Sequence, residues 1–249
     1  MKRAIGHHPR LTAAGLVLLC SIANCLLAGW SGLSLQFGLA HHAAMAALAA
    51  LVLTVTGWWS EVGFTRPSRW RNLHLAVIPL LAVGALFPGV GEVGGTRFLP
   101  YLALALLIAL QREIWFRGIL FRTLVPAYGP RRTVALTALL FGLAQGVDML
   151  AGAAPGVTVV KALASALFGY VLGALRLRTR TIWPGVAVVT IFYLSMFADR
   201  LRASGEMLPI SSERLTLQAF LSLVVFLCAR RWMRRAEEEH PAAETARAS

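Results

Sequence analysis

"ALALLIALQREIWFRGIL", residues 103–120, decides how this chain is read. An unbroken apolar run meets Gln111, Arg112, Glu113 and Arg117, then continues apolar. A charged side chain near mid-bilayer costs at least ~2.5–3.5 kcal/mol on insertion scales, so each needs a partner or a purpose. Glu113 and Arg117 stand four apart with the acid first, the favourable order for a pair along one helix face. Arg112 has no such neighbour, because adjacent residues diverge by about 100° around a helix.

The whole chain extends that pattern. Hydrophobic residues make up 57% and charged residues 14%, against about 25% charged in soluble domains. We therefore expect an all-α polytopic membrane protein, a bundle of about eight transmembrane helices of ~20 residues each. The candidate spans are residues 11–30, 39–58, 73–90, 98–120, 133–150, 157–175, 181–198 and 214–232. They divide the chain into two N-terminal helices (1–58), a basic cytoplasmic linker (59–72), a membrane core (73–233) and a disordered cytoplasmic tail (234–249). "MKRAIGHHPR" and the apolar run after it are expected to form an uncleaved span, since no A-x-A-like site follows.

Charge supplies the topology. The net charge is +13, and basic residues cluster before the first span (Lys2, Arg3 and Arg10) and after every second one: Arg66, Arg69 and Arg71; Arg117, Arg122, Arg131 and Arg132; Arg176, Arg178 and Arg180; Arg230, Arg231, Arg234 and Arg235. The alternate loops are nearly free of them, with Arg97, Arg200, Arg202 and Arg214 as exceptions. This positive-inside pattern places both termini in the cytoplasm, as expected of a bacterial inner-membrane protein. It assigns the charge to lipid topology, and no nucleic-acid partner is expected. Cys20, Cys25 and Cys228 lie inside spans and read as small apolar residues. The six histidines, His41 and His42 among them, have no carboxylate spaced to complete a site, so no metal or other cofactor is expected.

Beyond the opening stretch, lipid would reject Gln145 and Asp148 in "FGLAQGVDML", and Lys161. Phe141, Gln145 and Asp148 recur at i, i+4 and i+7 on one α-helical face. Lys161, near a span end, is expected to reach the interface.

"REIWFRGILFRTL" resembles the Glu-Glu-x-x-x-Arg-Gly motif of the CPBP family, the CAAX-prenyl-protease and bacteriocin-processing intramembrane proteases. "RRTVALTALLFGLAQG" is similar to that family's second motif, Phe-x-x-x-His. "FGYVLGALRLRTRTIWPGVAVVTIFYL" resembles the third, in which Trp-Pro leads into His-x-x-x-Asn, and "EVGFTRPSRWRNL" resembles the linker ahead of the core. The resemblance spans roughly residues 60–197. It implies that the first Glu and the second-motif His activate a water, while the third-motif His and Asn meet the oxyanion.

Position by position, Arg112 stands at the first Glu, Glu113 at the second, Arg117 at the motif Arg and Phe141 at the motif Phe. Gln145 stands at the second-motif His. Val189 or Thr190 stands at the third-motif His, and Tyr193 or Leu194 at its Asn. An arginine is no general base, and a glutamine takes no proton from water. The resemblance therefore implies a catalytically degenerate member that binds a membrane-associated or lipidated peptide or protein. Two alternatives stand beside it: an active endopeptidase with Glu113 as base and Gln145 or Thr190 as orienting groups, and a transport or assembly subunit. For Arg112 the expectation is a polar cluster with Gln145 and Asp148 facing the central cavity.

Overall fold

The computed structural model describes residues 15, 35–67, 70–86, 95–151, 153–202 and 212–248. The first expected span, 11–30, lies outside the described residues apart from residue 15. Among the described residues the chain is helical and contains no strand. Helix α1 covers Leu35–Thr56. A 3-10 turn at Trp70–Ala76 leads into α2, Val77–Gly84. Helix α3, Gly95–Arg112, passes without a break into a π-helical segment, Glu113–Leu120, and then into α4, Phe121–Leu143. A second 3-10 segment, Ala144–Ala151, precedes α5 (Pro155–Thr179), α6 (Trp183–Arg202) and α7 (Ser212–Ala248).

Four of these helices are long and apolar enough to cross a membrane: Leu35–Thr56, Phe98–Gly146, Pro155–Thr179 and Glu213–Arg234. The second, at 49 residues, far exceeds the ~20 residues one crossing needs, and it is two expected spans joined at a reversal. Gly129 has φ 71° and ψ 165°, a left-handed conformation that glycine adopts without a Cβ penalty. Pro130 follows it, disfavouring helix at Gly129 and opening the next helical stretch with a preset φ. The chain folds back on itself there, so that Phe116 and Phe141 meet edge to face with ring centres 5.1 Å apart. Of the other expected spans, 73–90 is represented by the short apolar helix Asn72–Gly84 and 181–198 by Trp183–Phe197. Helix α7 carries its backbone through the segment read from sequence as a disordered tail.

The bundle is inside-out in the sense that lipid requires. Large apolar side chains face outward, among them Leu81, Leu99, Leu139, Leu143, Leu163 and Phe220, a surface that water would not tolerate as one continuous patch. The interior holds Leu53, Val62, Trp115, Ile119, Leu120, Leu172, Leu175 and Ile182, packed as one cluster. Trp115 is packed into the core at 2% exposure, while Trp59 and Trp183 remain accessible, as tryptophans at a membrane–water interface do.

At one end the basic linker is stitched to the α5–α6 turn. Thr181 Oγ1 lies 3.1 Å from Gly63 O and 2.9 Å from Thr65 O, and Ile182 N donates to Gly63 O at 3.2 Å. Arg176 donates to Glu61 O at 3.0 Å. Arg122 pairs with the Glu61 carboxylate and lies over Trp58, 3.8 Å from its ring centre. The linker motif noticed in the sequence is thus a clasp holding α3–α4 to α5–α6.

Small residues set the α4–α5 contact. A Cβ on Gly142 would stand 2.6 Å from Ala162 O and 2.7 Å from Ala166 Cβ. Gly142→Ala should therefore force the helices apart and cost about 1–3 kcal/mol of stability, read as thermal unfolding in detergent. Gly146→Ala, where a Cβ would meet nothing within 4 Å, should leave the transition in place.

Candidate functional site

The site forms where the π segment, α4, α5 and α6 converge. Glu113 and Arg117 are both fully buried, at 0% exposure. Arg117 Nη1 lies 3.3 Å from Glu113 Oε1, an electrostatic contact in which neither carboxylate oxygen receives a formed hydrogen bond. The guanidinium is held from two further sides. Arg117 Nη2 donates to Gly169 O on α5 at 3.1 Å, and the Phe141 ring centre lies 4.3 Å from its carbon, well inside cation–π range. Gly169 and Gly185 let this happen. A Cβ on Gly169 would come within 3.2 Å of Arg117 Nη2, and one on Gly185 would overlap the Glu113 carboxylate.

The sequence predicted an α-helical i, i+4 pair; the pair is present, but on a π-helix. All eight residues of Glu113–Leu120 are buried. Such i→i+5 turns are rare and occur mostly as short bulges, frequently at functional sites. Packing on every side of the segment, including Val62 against Gly118, maintains the wider turn here.

Arg112 lies next to this pair and is handled differently. It is partly buried, and its guanidinium carbon lies 5.5 Å from the Phe141 ring centre and 5.2 Å from that of Tyr193 on α6. Phe141 therefore serves both arginines. Gln145 is buried at 6% exposure in the 3-10 segment that ends α4. This segment interrupts the α-periodicity expected to run from Phe141 to Asp148; Gln145 and Asp148, three apart, instead stand one 3-10 turn from each other. The side chain of Asp148 lies outside the described residues, and with it the Asp148 half of the expected cluster. The structure brings Arg112 to aromatic rings, and no ion pair joins it to a carboxylate among the described residues.

The two candidate registers of the third motif give different results. Val189 and Leu194 are buried apolar residues. Thr190 is 8% exposed, and its hydroxyl donates to Val186 O at 2.7 Å within its own helix, which commits its single proton. Tyr193 is the member of the set that reaches Arg112.

One polar contact escaped the sequence reading. His42 Nδ1 lies 2.7 Å from Gln111 Oε1, joining α1 to α3 beside Arg112. With the amide oxygen accepting, Nδ1 carries the proton. A glutamine beside the motif in an apolar run was the available signal, but its partner lies far away in sequence.

Residues 94–194 match the family model described as Type II CAAX prenyl endopeptidase Rce1-like. This segment is similar to the Rce1-like family. It takes in α3, the π segment, α4, α5 and the part of α6 that carries Tyr193, so the Rce1-like segment contains all three motifs. The basic linker at 61–73 precedes it. Comparison with curated proteins and with solved structures gives no match. Membrane-spanning helices and a CAAX-protease-like segment together identify an integral membrane protein.

Removing one member of a buried ion pair strands the other charge, at about 3–5 kcal/mol. Arg117→Ala should lower stability by this order in detergent, measured by thermal or denaturant unfolding. Arg117→Met combined with Glu113→Leu should lose much less than the two single changes added together.

Proposed function

We propose that this protein is a catalytically degenerate CAAX-protease-like membrane protein that binds a membrane-associated or lipidated peptide or protein without cutting it. The observation that carries this reading is the position of Arg112. The family resemblance puts the general base there, and the chain presents a guanidinium beside Phe141 and Tyr193. A guanidinium accepts no proton at any accessible pH. The remaining groups support the same reading. Glu113 is sealed from solvent against Gly185 and Arg117, so no water reaches it for activation. Gln145 can hydrogen-bond a water but not deprotonate it. The Thr190 hydroxyl is spent on Val186 O and is not a donor for a developing oxyanion.

Purified protein incubated with prenylated or leader-type peptides should leave them intact by mass spectrometry, while retaining them in a binding assay. Cleavage that Glu113→Gln abolishes would replace this reading with the active one, in which Glu113 is the base.

The orientation belongs to the same proposal: a bacterial cytoplasmic membrane with both termini on the cytoplasmic side. Support comes from the alternation of basic loops and from the clasp of Arg122, Glu61 and Arg176 at one end. Reporter fusions at residues 128 and 178 should read as internal and a fusion at 153 as external. Opposite readings at 128 and 178 would refute the topology.

A further inference from the structure

Arg112 and Arg117 stand close together in the same bundle, yet among the described residues only Arg117 has a carboxylate partner. Arg117 has Glu113 at 3.3 Å and Gly169 O at 3.1 Å. Arg112 has two aromatic rings and, among the described residues, no carboxylate and no hydrogen-bond acceptor. A ring face attracts the cation but offers no lone pair to the five N–H donors of a guanidinium. Those donors form a planar fork matched to a bidentate oxyanion. Arg117 is sealed, whereas Arg112 is partly accessible.

The neighbours add no described negative charge. Gln111 and Gln145 are buried amides at 3% and 6% exposure. The Gln111 oxygen is engaged by His42 Nδ1, which leaves its NH₂ group able to donate. Arg112, Arg117 and Glu113 together therefore carry one net positive charge, set among apolar spans. A single negative charge neutralises it; a doubly charged phosphate would leave an excess charge in a medium that penalises charge.

Resting on the degenerate-site reading above, we propose that Arg112 is a receptor for a chain-terminal carboxylate, carried into the bundle on an apolar chain. Arg112 makes the charged fork, and Phe141 and Tyr193 hold the guanidinium in place. Two sources share this chemistry, the free C-terminus of a membrane-borne peptide and the head of a fatty acid.

The test uses the full-length protein in a non-ionic detergent and two matched probe pairs: oleate against oleyl alcohol, and a hydrophobic peptide with a free against an amidated C-terminus. In at least one pair the carboxylate form should bind about tenfold or more tightly than its neutral counterpart. The pair that shows the preference identifies the source. Arg112→Gln should abolish the preference, and Arg112→Lys, which keeps the charge without the fork, should retain part of it. Equal binding of charged and neutral probes in both pairs would overturn the proposal. So would a preference that persists in Arg112→Gln, or one that emerges only in Asp148→Asn, because the counter-charge would then be Asp148 itself. Mass analysis of the recovered peptide keeps the two readings apart. A shortened peptide refutes the non-cutting function, while the oleate pair still judges the carboxylate site.

Discussion

Glu113 and Arg117 face each other at 3.3 Å with no exposure to solvent, and the placement of the surrounding helices follows from keeping them so. A buried ion pair gains little if its geometry is poor, and losing either partner leaves a charge that an apolar interior cannot solvate. The bundle meets that demand from every side. Helix α5 supplies the Gly169 carbonyl, α4 supplies the Phe141 ring, and α6 presents Gly185, whose missing Cβ makes room for the carboxylate. The reversal at Gly129 is what brings Phe141 back to Arg117. The π segment, the tight turn and the glycine contacts are parts of one arrangement.

That arrangement separates two roles once joined by adjacency in the sequence. Glu113 and Arg117 are sealed between the helices with no exposure to solvent. Arg112, one residue earlier, points to a different set of partners, Phe141 and Tyr193, and keeps some access. The resemblance to CAAX proteases implies a proton acceptor at that point and an accessible donor facing it. The chain offers a fixed cation and a threonine turned into its own helix.

The lipid environment gives these contacts their weight. Outward-facing leucines and phenylalanines dissolve the bundle in hydrocarbon, so helix association relies on close packing and polar contacts more than on expulsion of water. Gly142 and Gly173 let α4 and α5 approach to backbone distance. His42 and Gln111 tie α1 to α3. At the basic end, Arg122, Glu61 and Trp58 close the clasp where headgroups and water can share the charge.

Sequence alone determined what is local or statistical. The apolar runs gave an all-α membrane protein, because every backbone group must be satisfied within its own helix in lipid. The spacing of Glu113 and Arg117 gave their pairing, since four residues bring two side chains together on any helical turn. The motif order gave the resemblance to the CAAX proteases, and the family-model match over residues 94–194 agrees with it. The tertiary structure decided the rest. Whether residues 113–120 wind as α or π depends on packing that no propensity records. The partner of Gln111 and the rings around Arg112 come from helices far away in the chain, and spacing says nothing about which helices will touch. The expected helical face through Phe141, Gln145 and Asp148 failed because the helix tightens at Ala144, a change made where α4 ends. Pairing along one helix is written in residue spacing, whereas the surroundings of a side chain between helices exist only once the helices have packed.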